Sequence, residues 1–318
     1  MSRTLNAMAN PMPFGVAELC FRGRKACPVR GCVEASPCPT HHISVHSTYG
    51  GLTYVYDEPW RNLLWADADD RQRLDAILRG KRESRMGHEH SEDAVTWNVF
   101  RFFERHGCLS RAIRTICPCP DDEPLTVFWT THNGSLWDSY HLCSDQIREK
   151  RGARSESDLI FVWENKLVVV VEAKFRSPNR SASDPQKRKV ELRKSRRYVM
   201  HAPRCLNQKG AKRAVCDGWY ELLRNWVLGM ELKDMLSCEE FVLVNLLRKR
   251  HENERREDPR RDFAERACVL SPNNRFVAAY WEDLIAAAPS ICDHPDSGLL
   301  VSWARDKSEL LGKHAFDF

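Results

Sequence analysis

The most pronounced hydrophobic pattern in the chain is a pair of short apolar runs near its middle, at 159–163 and 167–171, separated by polar residues at 164–166. Each run is too short for a typical helix and is rich in valine, isoleucine and phenylalanine, which favours strands. A short polar break between two such runs is typical of a β-hairpin. The pattern therefore predicts two paired strands that turn about Asn165.

The clearest predicted helix lies upstream of this hairpin. It follows Ser91, a good N-cap residue, and its first turn contains the acids Glu92 and Asp93. The residues at 106–107 are expected to end it. Glu92 lies at the edge of the apolar face, and from spacing alone its favoured role is to complement the helix dipole. The apolar face consists of Val95, Val99, Phe102 and Phe103.

Apolar periodicity also predicts the elements around the hairpin. Residues 54–85 are expected to form a helical lead-in, and 217–236 contain an amphipathic helix. Strands are predicted at 125–131, 241–246 and 276–281. Helices that alternate with strands indicate an α/β fold.

Length and composition are those of an ordinary globular protein. The chain has 318 residues, of which 42% are hydrophobic and 29% charged. No apolar run could span a bilayer, and the start of the chain lacks the apolar centre of a signal peptide, so we expect a cytoplasmic protein with no membrane partner. We divide the chain into an extension at 1–51, a helical lead-in at 52–86 and a main domain at 87–318.

Cysteines are numerous, at 13, but an odd number without an export signal favours buried thiols over a disulfide framework. Four of them lie in the extension and precede a group of histidines at 41–46. Their spacing is not the paired C-x-x-C pattern typical of zinc sites. Two interpretations stay open, a loop-rich extension with free thiols and a structural zinc or iron–sulfur site. The four candidate ligands are Cys20, Cys27, Cys32 and Cys38.

The hairpin itself carries candidate chemistry at its open end. Asp158 and Glu172 are equidistant from Asn165, so folding the hairpin places them side by side. Lys174 is two residues beyond Glu172, so both side chains point to the same face of the strand. Carboxylates beside an apolar sheet are costly unless they pair or hold a cation, and a hard divalent metal ion is the obvious candidate.

Basic residues are concentrated directly after this site. The net charge is only +5, which does not by itself identify a polyanionic partner. Between 184 and 213, however, Asp184 and Glu191 are the only acids among many basic side chains. Such a run is either a solvated helical face or a phosphate-binding surface. The residues predicted to contact nucleic acid are Lys187, Arg188, Lys189, Arg193, Lys194, Arg196 and Arg197.

Asp158, followed by Glu172-Ala173-Lys174 at the end of a valine-rich strand, resembles the motif of the PD-(D/E)XK nuclease superfamily. The resemblance covers residues 87 to about 288 and implies a restriction-endonuclease-like αβββαβ core, with a central mixed sheet flanked by helices. It implies that Asp158 and Glu172 are catalytic acids that bind magnesium, and that Lys174 assists the attacking water. Ser157 stands where the motif often has proline.

The same resemblance implies roles on two helices. Many members carry a glutamate on the helix before the sheet that approaches the metal, for which Glu92 is the first candidate and Glu89 the second. RecB-like members place polar contacts on the later helix, where Glu221 and Arg224 match loosely. Some of them also hold an iron–sulfur cluster with four cysteines on both sides of the core, whereas the cysteines of the extension all precede it.

The expected function is that of a magnesium-dependent deoxyribonuclease, an endonuclease rather than an exonuclease, in which manganese could replace magnesium. DNA is the expected partner, restriction or anti-phage defence the expected role, and a homodimer would suit double-strand cleavage. Three alternatives stay open: a repair or transposition nuclease of the same fold, a catalytically idle nucleic-acid-binding protein with a nuclease-like core, and a zinc-stabilised scaffold built on the extension.

Overall fold

The fold is that of a computed structural model, which describes residues 38–40, 42–48, 51–81, 85–132, 135–147, 149, 156–177, 179, 185–250, 258–310 and 313–318. Cys20, Cys27 and Cys32 lie outside the described residues. Cys38 is described and buried, and its backbone N–H donates to the Ile43 carbonyl at 3.0 Å. The metal site predicted in the extension therefore stays a prediction.

Strands β1 and β2 form a small hairpin near the start of the described residues, and seven later strands form the central sheet. The strands are β1 Ile43–Thr48, β2 Gly51–Tyr56, β3 Leu125–Phe128, β4 Thr131–His132, β5 Ser135–Leu136, β6 Leu159–Trp163, β7 Leu167–Ala173, β8 Glu240–Leu247 and β9 Asn274–Tyr280. A last short pair is β10 Ser308–Leu310 and β11 Lys313–His314. The spatial order of the central sheet is β5-β4-β3-β6-β7-β8-β9.

The central sheet is mixed. Strands β3, β6 and β7 pair antiparallel, whereas β7, β8 and β9 pair parallel. Parallel neighbours need a crossover connection, and helices supply it between β7 and β8. The chain is thus an α/β fold with a mixed sheet flanked by helices, as the sequence predicted.

Helices cover both faces of this sheet. The main ones are α1 Ala68–Gly80, α2 Glu92–Arg105, α3 Leu109–Arg114, α4 Asp138–Gln146, α5 Pro185–His201, α6 Gln208–Cys216 and α7 Tyr220–Met235. Shorter helical segments are Pro59–Asn62, Arg260–Ala264, Glu265–Ala267, Trp281–Ala286 and Ala288–Ile291, and the helix Asp296–Asp306 follows them. Among the described residues, no helix is both long and apolar enough to cross a lipid bilayer.

Strand β7 shows how the layers are built. Val169 and Val171 pack into the core on the α2 side, and Val168 and Val170 pack into the core on the α7 side. Because both faces of the strand are buried, it reads as a continuous apolar run. The end of β7 therefore lies between the two helical layers.

The structure confirms the predicted hairpin and the helix before it. Leu159 pairs with Val171 across β6 and β7, and Asn165 in the turn adopts a left-handed φ of 58°. Helix α2 begins after Ser91, whose side chain accepts a hydrogen bond from the Ala94 N–H at 3.1 Å. The predicted strand at 241–246 and the helix within 217–236 correspond to β8 and α7.

The helical lead-in was wrong in its first part. Residues 51–56 form β2, and the helix covers only Ala68–Gly80. Tyr54 and Tyr56 alternate along β2 and pack with Ile43 and Val45 in a small apolar cluster. This alternation has the two-residue period of a strand, and the run is too short to stand out among charged residues. The hairpin of β1 and β2 therefore crosses the boundary that we placed at 51.

Most described cysteines are free thiols, as predicted. Burial raises the pKa of Cys117, Cys143 and Cys205 to about 12 in each case, which makes these thiols unreactive. Cys108 is different, because it forms a disulfide with Cys292. This crosslink joins the start of α3 to the end of Ala288–Ile291.

Candidate catalytic and metal site

The hairpin register brings two carboxylates together at its open end. Leu159 pairs with Val171, so Asp158 and Glu172 lie opposite each other one step further along. The Ala173 N–H donates to Asp158 Oδ2 at 2.9 Å and fixes the position of this carboxylate. Burial and the neighbouring Glu172 carboxylate raise the pKa of Asp158 well above its ordinary value.

Lys174 lies on the same face of β7 as Glu172, as the two-residue spacing predicts. Its ammonium Nζ is 2.6 Å from Glu172 Oε1 and 2.7 Å from Glu221 Oε2. Burial alone would lower the pKa of Lys174, but these two carboxylates hold it well above its ordinary value. The side chain is therefore a fixed cation at neutral pH.

Helix α7 contributes the groups that orient Glu172. The Asn225 side-chain amide donates a hydrogen bond to Glu172 Oε2, and Asn225 Oδ1 accepts one from Ser157 Oγ at 3.1 Å. Arg224 lies 3.6 Å from the same carboxylate oxygen and donates to Asn225 Oδ1 through Nε at 3.2 Å. Glu221 and Arg224, matched loosely from the sequence, thus both contact the predicted site.

Asn225 escaped the sequence analysis, although it left a signal. It is fully buried together with the largely buried Arg224 in a helix whose neighbours are Leu222, Leu223 and Trp226. Buried polar side chains need hydrogen-bond partners, so two adjacent ones inside an apolar helix indicate a polar site on the facing strand.

Glu92 approaches from the opposite helical layer. Its Oε2 accepts a hydrogen bond from the Phe175 N–H at 2.7 Å, and Ser177 Oγ donates to the same carboxylate at 2.8 Å. Burial raises the pKa of Glu92 although Lys174 and these donors favour its charged form. Glu92 thus anchors the first turn of α2 to the segment after β7, beyond a simple role in the helix dipole.

Glu89, the second candidate, is engaged elsewhere. Its carboxylate is 3.2 Å from Lys307 Nζ and accepts a hydrogen bond from the Tyr56 hydroxyl at 3.0 Å. These contacts connect the β1–β2 hairpin with the end of the helix Asp296–Asp306. Between the two glutamates, the contacts favour Glu92 as a member of the site.

Strand β8 adds a polar group beside Glu172. Asn245 is paired with Glu172 in the parallel register of β7 and β8, so both side chains point to the same face. Asn245 is fully buried, and its amide donates to Asn179 Oδ1 at 2.8 Å. Its Oδ1 has no hydrogen-bond partner among the described residues, although buried oxygens are normally partnered.

The predicted basic surface lies largely on α5. Lys189, Arg193, Lys194 and Arg196 are exposed, Arg197 is partly exposed, and the side chains of Lys187 and Arg188 lie outside the described residues. Tyr198 of the same helix packs edge-on against Tyr220 at the start of α7, with ring centroids 5.9 Å apart. The basic helix therefore adjoins the end of α7 that carries Glu221.

The side chains at the open end of the hairpin form one connected cluster. Lys174 and Asn225 link the strand to α7, and Glu92 links the following segment to α2. The cluster offers carboxylate oxygens at a position where sheet and helices meet. Comparisons of the chain with protein-family models, with curated proteins and with solved structures found no match.

Proposed function

We propose that the protein is a metal-dependent nuclease that hydrolyses phosphodiester bonds of DNA, and an endonuclease in particular. The observation that carries the proposal is the pairing of Asp158 with Glu172 across β6 and β7, with Lys174 against Glu172 at 2.6 Å. This arrangement is the one that the resemblance to the PD-(D/E)XK superfamily implies for its two acids and its lysine.

The order of elements supports the same assignment. Helix α2 is followed by the antiparallel strands β3, β6 and β7, and α7 then leads to β8, which is parallel to β7. This succession has the αβββαβ order of a restriction-endonuclease-like core. The elements between these six are insertions in that order.

The charge of the cluster suits a divalent cation. Four carboxylates face two cationic side chains, which leaves two excess negative charges when all are ionised. The raised pKa values of Asp158 and Glu92 are the physical sign of this excess. Asn245 Oδ1 adds a buried oxygen without a partner. The carboxylates are those of Asp158, Glu172, Glu92 and Glu221, and the cations are Lys174 and Arg224.

Oxygen donors of this kind suit magnesium or manganese. Asp158 and Glu172 would hold the ion, and Glu92 is the third acid within reach of the same strand end. Bound there, the ion would supply Lewis-acid stabilisation of the charge that develops on the phosphate and would activate water as a nucleophile.

The protein's own groups have separate tasks. Lys174 is protonated, so it acts as a fixed positive charge beside the reacting phosphate and not as a general base. Asn225 and the Ala173 N–H hold the two acids in place. Preorganised charges of this kind stabilise a transition state without rearrangement during the reaction.

The basic helix α5 supports a nucleic-acid substrate. Its exposed lysine and arginine side chains adjoin α7, and such side chains bind phosphates largely without reading sequence. Base-specific contacts are not part of this proposal.

The direct test is a cleavage assay with plasmid, linear and single-stranded DNA and with RNA, in magnesium and in excess chelator. We expect magnesium-dependent DNA cleavage that falls about 100-fold or more in Lys174→Met and in the isosteric Glu172→Gln. Lys166→Met is the matched control, since Lys166 lies exposed in the turn of the same hairpin.

Three results would decide against the proposal. Cleavage by Lys174→Met and Glu172→Gln at the wild-type rate would place the chemistry elsewhere. DNA binding without cleavage in any metal would support the catalytically idle alternative. RNA as the preferred substrate would contradict the assignment to DNA.

A further inference from the structure

A second group of metal-ligating side chains lies at the opposite end of α2 from Glu92. His106 follows the last residue of α2, and His294 and Asp296 lie at the start of the helix Asp296–Asp306. Helix α2 has 14 residues, so this group is about 20 Å from the candidate catalytic site. The two sites share no residue.

Three donor atoms converge in this group. Asp296 Oδ2 is 3.3 Å from His106 Nε2 and 3.6 Å from His294 Nδ1, and the two imidazole centroids are 4.0 Å apart. In a tetrahedral zinc site, with ligand bonds of about 2.0–2.2 Å, neighbouring donor atoms are about 3.3–3.6 Å apart. The separations therefore match the edges of such a site.

The His106 ring is fixed and its nitrogen has no other use. Its centroid lies 4.9 Å from the Phe102 ring and 6.4 Å from the Trp65 ring. Nε2 is buried and makes no hydrogen bond to any described residue. A buried ring nitrogen without a partner normally requires an explanation, and a missing ligand supplies one.

His294 also directs a lone pair into the group. The Asp296 N–H donates to His294 Nδ1 at 3.2 Å, so this nitrogen is unprotonated. Burial and the adjacent His294 ring lower the pKa of His106, which favours its neutral form as well. Neutral imidazole is the form that binds metal ions.

We propose that His106, His294 and Asp296 bind one divalent transition-metal ion of the zinc class, with a solvent molecule at the remaining position. Two imidazoles with one carboxylate suit zinc, cobalt or nickel, whereas magnesium prefers oxygen ligands alone. The proposal does not depend on the nuclease assignment.

The ion would join two segments that are distant in the sequence. It would connect the end of α2 to the start of the helix Asp296–Asp306, and the Cys108–Cys292 disulfide joins the same two regions two residues away on each side. Its effect would be structural, because binding to the folded state alone raises stability.

The test uses the full chain, free of metal, in buffer without reductant so that the disulfide stays closed. Cobalt(II) is titrated while its visible d–d absorption is recorded, and zinc is then added to displace it. The variants are His294→Ala, at an exposed position, and Asp296→Asn, which keeps the shape of the first helical residue. His314→Ala is the control, since His314 is exposed and lies outside the group.

We expect both variants to bind one equivalent of cobalt or zinc fewer than the wild type, and His314→Ala to bind as the wild type does. Zinc should raise the melting temperature of the wild type and the control more than that of His294→Ala. Metal bound by the cysteines of the extension would be retained in every variant, so the difference isolates this site. Unchanged stoichiometry in His294→Ala and Asp296→Asn would overturn the proposal, provided that circular dichroism shows both to be folded.

Discussion

Replacing Asp158 by asparagine should stabilise the metal-free protein while it abolishes cleavage. The raised pKa of Asp158 means that its ionised carboxylate is unfavourable in the folded state, because it is buried and faces Glu172. Asparagine keeps an oxygen that can accept from the Ala173 N–H, and its amide can donate to Glu172. The substitution therefore removes repulsion without removing the hydrogen bond.

The sign of the pH dependence follows from the same shift. Between the ordinary pKa of aspartate and the raised value, the folded protein binds more protons at this position than the unfolded chain does. The stability of the wild type therefore falls as the pH rises through this window, and Asp158→Asn lacks that slope. Since each unit of pKa shift corresponds to about 1.4 kcal/mol, we expect a gain of about 1–2 kcal/mol at about pH 8.

Asp70 provides a matched control of opposite sign. It is fully buried, and its carboxylate pairs with Arg101 Nε at 2.7 Å and also with Arg105. Asp70→Asn leaves these guanidinium groups without their partner and should cost about 3 kcal/mol. Urea unfolding in excess chelator, followed by tryptophan fluorescence, measures both variants. A loss of stability in Asp158→Asn comparable to that in Asp70→Asn would refute this account of the site.

Two further predictions concern the helices around the site. Gly229→Ala should lower the free energy of unfolding by about 1–2 kcal/mol, because a Cβ there would lie 2.1 Å from Cε2 of the buried Phe241 ring and force α7 away from β8. Gly298→Ala meets no atom within 4 Å and should raise it by about 0.5–1 kcal/mol; equal denaturation midpoints would contradict the reasoning. In the basic helix, Arg193→Ala with Lys194→Ala should reduce the salt dependence of DNA binding by about 0.9 in slope for each lost phosphate contact, whereas exposed Arg111→Ala on α3 should leave it unchanged. An unchanged slope in the α5 variant, measured by fluorescence anisotropy at several salt concentrations, would reassign that run to a solvated face.

The hairpin was predictable because its apolar runs are continuous and its turn is short. The position of Asn165 alone determines that Asp158 and Glu172 face each other, and the period of two places Lys174 beside Glu172. These relations depend on residues close together in the sequence. They carry the larger part of the candidate site.

Contacts made by residues distant in the sequence could not be predicted in the same way. Asn225 reaches Glu172 only because α7 crosses back over the sheet, and sequence periodicity gives the apolar face of that helix but not its rotation over β7. The group of His106, His294 and Asp296 was missed for the same reason, since 188 residues separate its two histidines. Strand β2 was missed because its alternation extends over only a few residues.

The central claim is that the acids at the open end of the hairpin hold a hard divalent cation. The most direct measurement is the number of manganese(II) ions bound per chain, from electron paramagnetic resonance of the free ion at equilibrium. We compare the wild type with Glu172→Gln, and with Glu164→Gln as control, because Glu164 is exposed in the turn at the other end of the hairpin. The account predicts that the wild type and Glu164→Gln bind one ion that Glu172→Gln does not bind. Equal binding by all three proteins would contradict it.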